Sequence, residues 1–262
     1  MKFGVLGFGN MGGAIVKGAV DKGVLKKDEV FAYDPKAEAA AAAEASGLQI
    51  CHSVRELAEA SDVILLAVKP QQYVQTCAEA EGSLDGKAVF SIVAGTSVER
   101  LQQAIKGSPR ILRIMPNTPA LVFEGAFALC QENNLTEEEK AFAQDLFTSI
   151  GIVEWVKEYD IDAVCGLSGG GPAYVAMFIE ALADGGVKEG LTRDIAYKLA
   201  VQTVLGSAKL IQEKGMHPGA LKDMVTSPAG TTIEGTEALE AGAFRYSVMQ
   251  AVVQATERSR EL

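Results

Sequence analysis

The sequence predicts an α/β chain: an N-terminal Rossmann-like doubly wound domain over residues 1–158, followed by an all-helical domain over residues 159–262. Three observations predict it. A glycine fingerprint, Gly7-x-Gly9-x-x-Gly12, stands between a short apolar run and a helix-compatible run. Strand-like and helix-like stretches then alternate as far as Trp155, the pattern of a parallel sheet with crossover helices. After Tyr159 the strand patterns stop and only helical ones remain.

Each glycine of the fingerprint has a physical reason. Gly7 permits a tight turn, Gly9 lets backbone approach a pyrophosphate, and Gly12 allows close helix–strand packing. The helix start beyond them offers unpaired N–H groups to an anion. Gly7, Phe8, Gly9, Asn10, Met11 and Gly12 are therefore candidate cofactor-binding residues. The helix ends near Gly23 and a second strand at 30–33 is closed by Asp34, which lies 22 residues after Gly12, where a ribose-binding carboxylate belongs. An ordinary glycine-rich turn could carry the same letters; the strand–loop–helix–strand–Asp frame is what favours a dinucleotide.

The remaining strands are predicted at 3–6, 63–68, 88–92, 111–114, 126–129 and 152–155. An Ala/Glu-rich helix over 36–46 stops at Gly47, and capping boxes at Ser53–Glu56 and Thr136–Glu139 start two more. In the second half, helices are predicted at 172–183, ending at Gly185-Gly186, at 193–214, after Pro218, and from Thr231 to the C-terminus. The run from Ala173 to Leu182 is apolar on nearly every face, more than a hundred-residue helical domain needs for its own core. A subunit interface is expected there; the alternative is the central helix of a monomeric bundle.

Composition narrows the function classes. The net charge of −10 is spread along the chain and argues against a nucleic-acid surface. No run of 18 apolar residues occurs, and the first strand starts too early for a leader, so a cytoplasmic location without membrane contact is expected. Cys51, Cys77, Cys130 and Cys165 have no metal-like spacing, and His52 and His217 lie far from the glycines. Reduced thiols and no metal site are expected. Neither an H-E-x-x-H, a G-x-S-x-G nor a Walker A loop occurs.

In a doubly wound sheet, ligands gather at the carboxyl ends of the strands. The residues there include Ala67, Val68, Lys69 and Pro70, then Ala94, then Asn117 within Met115-Pro-Asn-Thr-Pro119. Lys69 reads either as a cofactor contact or as a solvated surface lysine, and Asn117 either as a contact or as part of a stiff turn. A second cluster, Val225-Thr-Ser-Pro-Ala-Gly-Thr-Thr-Ile-Glu234, contains a further capping box, Thr231–Glu234. Its N–H groups could bind a carboxylate, and Ser227, Thr231 and Thr232 add neutral hydroxyls. On spacing alone a well-capped helix and nothing else is the favoured reading.

Val68-Lys-Pro-Gln71, Met115-Pro-Asn-Thr-Pro119, Gly166-Leu-Ser-Gly-Gly-Gly-Pro-Ala-Tyr174, Ala183-Asp-Gly-Gly186, His217-Pro-Gly219 and Thr226-Ser-Pro-Ala-Gly-Thr-Thr232 occur in an order that resembles the pyrroline-5-carboxylate reductases, over essentially the whole chain. The resemblance implies reduction of 1-pyrroline-5-carboxylate to L-proline with NADPH or NADH, and a helical domain that interlocks a homodimer, with dimers often building decamers. It implies that Thr232, with Ser227 nearby, serves catalysis by hydrogen-bonding the ring nitrogen. Gly230, Thr231 and Thr232 would hold the substrate carboxylate, and Glu158 would be an acidic substrate-side residue. Three departures stand out: Ala229 where the family usually has glycine, Gly170 where Ser or Ala is common, and Met224 where some members have a cofactor-contacting Asn. Asp34 leans the cofactor expectation toward NADH, because a carboxylate meets the 2′-phosphate of NADPH as a like charge. The alternatives are another two-domain reductase of the β-hydroxyacid dehydrogenase type, or a nucleotide-sensing protein without catalysis.

Overall fold

Phe3–Leu6 forms β1, buried along its whole length as a central parallel strand must be. The computed structural model describes residues 1–261. From β1 the chain enters α1 (Asn10–Asp21), then β2 (Val30–Tyr33), α2 (Ala37–Ala45), β3 (Gln49–Ile50), α3 (Val54–Ala60), β4 (Val63–Leu66), α4 (Tyr73–Glu79), β5 (Ala88–Ser91) and α5 (Val98–Ala104). β6 (Arg110–Met115), β7 (Gly125–Cys130), α6 (Glu137–Thr148) and β8 (Gly151–Val156) complete one sheet of order β3-β2-β1-β4-β5-β6-β7-β8. The order reverses at β1, between β2 and β4, which is the switch point of a doubly wound fold.

The sheet is parallel except at β6–β7, which pair antiparallel, Ile114 opposite Leu129. This corrects the all-parallel expectation. The connection, mostly the single 3₁₀ turn Thr118–Val122, is too short for the crossover a parallel pair requires. β3 was not predicted either; two residues are too few to show a period.

The core lies on both faces of the sheet. One side gathers Phe3, Ile15, Phe90, Phe127 and Phe147, with the Phe127 and Phe147 rings 4.9 Å apart. The other gathers Leu6, Leu57, Ile64, Leu66 and Leu101. Each such side chain stabilises the fold by about 1.5–3 kcal/mol relative to exposure. The Thr136 capping box forms as predicted, both halves present. At α3 only half of the box matches: Ser53 accepts from the Glu56 N–H, but the Glu56 carboxylate takes the N–H of His52 at 2.6 Å.

The chain divides into two compact units, Met1–Gly170 with the residues from Gln254 onward, and Gly171–Val253. The first includes α7 (Ile161–Val164) and a π-helical turn over Cys165–Gly169. The second contains α8 (Gly171–Lys188), α9 (Arg193–Lys214), α10 (Pro218–Met224) and α11 (Thr231–Ala241), together with most of α12 (Phe244–Arg260). Two helix ends differ from expectation. α8 runs through Gly185-Gly186 and stops before Gly190, whose φ of +98° supplies the left-handed cap. A Cβ at Gly186 would lie 3.3 Å from Leu191 Cδ1 and 3.4 Å from Ala196 Cβ, so this glycine faces α9 within the helix. The predicted last helix is two, α11 and α12, broken where Ala243 turns left-handed at φ +54°.

Candidate active site

The fingerprint loop is held by contacts that only glycine permits. Gly7 has φ +98°, and a Cβ on it would lie 2.6 Å from the Ala67 carbonyl oxygen. One on Gly12 would collide with the Gly7 carbonyl. Gly9 is different: a Cβ there meets no atom within 4 Å, so the space above it is open to a ligand. Gly9 is also the N-cap of α1 and no side chain caps the helix, which leaves its first N–H groups for an anion. The loop fits the pyrophosphate of a dinucleotide.

A cleft of about 390 Å³ opens beside this loop, lined by Gly7, Gly9, Asp34, Ala67, Val68 and Lys69 among others. These predicted residues are therefore brought together. Asp34 is tied down at both oxygens: Oδ2 accepts the Phe8 N–H at 2.8 Å and Oδ1 the Lys36 N–H at 2.9 Å. Each oxygen keeps a second lone pair for a ribose hydroxyl. Phe8 contributes its N–H to Asp34 while its ring is buried, and Met11 packs against the core. Asn10 lines a second hollow, with Lys17 and Lys36, and Pro70 is exposed ahead of α4.

Sequence reasoning missed Gln72, the N-cap of α4, and Gln75, Thr76 and Glu79 on that helix, which line the same cleft. Their spacing of three, four and seven marks one helical face, and the helix begins just past a strand end; that combination could have found them.

Ala94 and Asn117 lie past the ends of β5 and β6 and do not line that cleft. Asn117 is buried, and its Oδ1 accepts the Ala126 N–H at 2.8 Å, fastening the turn before β7. Glu158 accepts the Val98 N–H at 2.7 Å and faces Arg113. None of the cysteines offers a reactive thiolate in the sheet core: burial pushes the thiols of Cys51 and Cys77 up to about 11 and that of Cys130 up to about 12.

The second candidate cluster lies in the helical unit. His217 caps α10, its Nδ1 accepting the Gly219 N–H at 3.1 Å, and Met224 at the helix end is exposed. The chain then turns through Ala229 to Gly230, whose N–H donates to the Ser227 carbonyl at 3.0 Å. The predicted Thr231–Glu234 capping box does not form: Gly230 is the N-cap, and Thr231 and Thr232 are the first helical residues, both exposed. A Cβ at Gly230 would strike the Ser227 hydroxyl, so glycine is required for that hydroxyl to sit over the helix start. Free N–H groups and neutral hydroxyls at one helix end can hold a carboxylate and orient a hydrogen-bond acceptor beside it.

Ala229 has φ +52°, a conformation that costs a Cβ-bearing residue about 1–2 kcal/mol. Ala229→Gly is expected to raise stability by about 0.5–1 kcal/mol after the extra unfolded-state freedom of glycine is subtracted. A denaturation midpoint below that of the wild type would show that the turn is unstrained.

Residues 158–262 match the family model described as pyrroline-5-carboxylate reductase dimerisation, and residues 2–95 match the one described as NADP oxidoreductase, coenzyme F420-dependent. The pyrroline-5-carboxylate reductase of Escherichia coli K12 is 41% identical over 263 residues, covering 100% of this chain and 98% of the relative. The chain belongs to the pyrroline-5-carboxylate reductase family. The Arabidopsis thaliana reductase is 43% identical, with 100% of this chain and 95% of that one covered. The crystal structure of the Plasmodium falciparum pyrroline carboxylate reductase with NADP bound superposes with a TM-score of 0.90 at 36% identity, over 100% of this chain and 97% of that one. The fold class predicted from sequence, an N-terminal Rossmann-like domain and a C-terminal helical one, is the fold observed, and the family matches the resemblance.

Proposed function

We infer that the chain catalyses reduction of 1-pyrroline-5-carboxylate to L-proline, with residues 1–158 holding the cofactor and 159–262 supplying substrate binding and dimerisation. The observation that carries this is the full-length identity of 41–43% to reductases of that name, joined to an open glycine cradle fit for a dinucleotide. A reduced nicotinamide cofactor, when bound, supplies the hydride that the ring carbon of the imine receives. The chain supplies position and charge. Gly7–Gly12 and the start of α1 hold the pyrophosphate; Asp34, Ala67, Val68 and Lys69 flank the adenosine half. The N–H groups of Gly230, Thr231 and Thr232 take the substrate carboxylate, whose charge the helix start offsets. Thr232 donates its hydroxyl to the ring nitrogen, with Ser227 beside it, which orients the C=N bond. No strong general acid is assigned, since water can supply the proton that the ring nitrogen takes up as the hydride adds.

The protein acts as a homodimer in the cytoplasm. Val175, Met177 and Leu182 of α8 are all more than 40% exposed in one protomer, an apolar surface that a partner copy would cover. The buried, unpaired thiols suit a reducing compartment. The decisive assay is oxidation of NADH or NADPH started by addition of the imine. Its absence in purified, folded protein would refute the reading and favour a nucleotide-binding protein without catalysis.

The cofactor preferred is NADH. Asp34 lines the cleft with its carboxylate anchored at the loop, so the 2′-phosphate of NADPH would meet a fixed negative charge. Lys36, two residues on, offsets part of it. Asp34→Ser is expected to improve kcat/KM for NADPH relative to NADH by about tenfold or more. A wild type that already uses NADPH tenfold better than NADH would remove Asp34 from the ribose.

A further inference from the structure

Glu158 was expected on the substrate side, yet its carboxylate is committed elsewhere. Oε1 accepts the N–H of Val98, the first residue of α5, at 2.7 Å, and lies 3.4 Å from Nη1 of Arg113 on β6. The guanidinium is buried, and its Nη2 faces Asp162 Oδ1 at 3.5 Å. The same Asp162 oxygen accepts the Ser259 hydroxyl at 2.8 Å, and the Glu158 N–H donates to Glu132 Oε2 at 2.8 Å. Glu158 is thus gripped through both backbone and side chain, at a point where the beginning of α5 meets the end of β6.

α5 starts immediately after the loop that follows β5 and contains Ala94 and buried Thr96. Arg113 lies two residues before Met115, where β6 gives way to the Pro116-Asn117 turn. In this strand order the cleft beside β2, β1 and the end of β4 flanks the adenosine half of a dinucleotide, and the carboxyl ends of β5 and β6 flank the other half. Glu158 therefore ties the start of α5 to β6, the two elements that border these loops on the reacting side. On the functional reading above, we propose that Glu158 is a positioning residue for hydride transfer: through Val98 and Arg113 it sets the spacing of the loops after β5 and β6, and it makes no contact with the imine.

Glu158→Gln in the full chain tests this. Glutamine keeps an acceptor for the Val98 N–H but removes the charge facing Arg113, and Asp162 remains to neutralise the guanidinium. The expected result is a kcat lowered on the order of tenfold, a KM for the imine within about twofold of wild type, and unchanged affinity for ADP-ribose, which reports the adenosine half alone. The double variant with Arg113→Gln should lose no more than the worse single, because both act through one link. Glu158→Asp keeps the charge but is one methylene short of spanning both partners; it carries the test if Arg113→Gln does not fold, with a similar loss of kcat expected. Three results overturn the proposal: wild-type kcat in Glu158→Gln and Glu158→Asp, additive losses in the double variant, or a raised KM for the imine with kcat preserved, which would put Glu158 on the substrate. A wild type without imine-dependent turnover refutes the functional reading instead.

Discussion

Thr232→Ala is expected to lower kcat by roughly tenfold to a thousandfold, the scale of losing one oriented donor in a site that works by positioning and charge. The fold should survive, for three reasons. Thr232 is exposed, it is the second residue of α11, and no hydrogen bond within the described residues uses its hydroxyl. Thr232→Ser retains the hydroxyl and should stay within a few-fold of wild type, which separates loss of the donor from loss of bulk. Ser227 is the poorer first target, because its hydroxyl sits against Gly230 and its carbonyl accepts the Gly230 N–H, so a change there also disturbs the turn. Steady-state kinetics on the imine decide the matter: an unaltered kcat in Thr232→Ala would remove Thr232 from the reaction.

Met177→Asp should dissociate the protein or render it insoluble. In one protomer α8 buries just Ala183 fully, while Met177 is 69% exposed on a helix with apolar residues on nearly every face. A carboxylate forced into a dry interface costs several kcal/mol, and each 1.4 kcal/mol is about tenfold in the dimer constant. Phe178, the neighbour that the apolar run also suggests, is a mixed probe: its ring lies 5.8 Å from Phe244 in the same unit, so a charge there would damage the protomer as well. Met177→Leu is the matched control and should remain assembled. A monodisperse, active monomer of wild-type protein by light scattering would contradict the interface.

The readable parts of the chain were those whose information is local. The Gly7–Gly12 loop was legible because each glycine answers a steric demand of its own neighbourhood, and the structure shows Gly7 and Gly12 hemmed in and Gly9 open. α9 was legible to the residue, Arg193 to Lys214, because Gly215 supplies a left-handed cap one step beyond it. The Thr136 box was legible for the same reason.

Where identical letters serve long-range packing, the local reading fails. Gly185-Gly186 has the composition of a helix stop, yet α8 passes through it, Gly186 facing Ala196 of α9, and the left-handed residue comes only at Gly190. Glu158, expected on the substrate side, is instead paired with Arg113, 45 positions earlier. The antiparallel pairing of β7 and the cleft-lining face of α4 depend likewise on which segments the chain closure brings together. Sequence by itself determined the fold class and the family, and it placed the glycine loop, since these rest on backbone conformation and on residue types within a few positions. Tertiary structure alone decided which carboxylates are already spoken for and which strand ends face each other, because a hydrogen bond or an ion pair is set by distance in space, and distance along the chain does not report it.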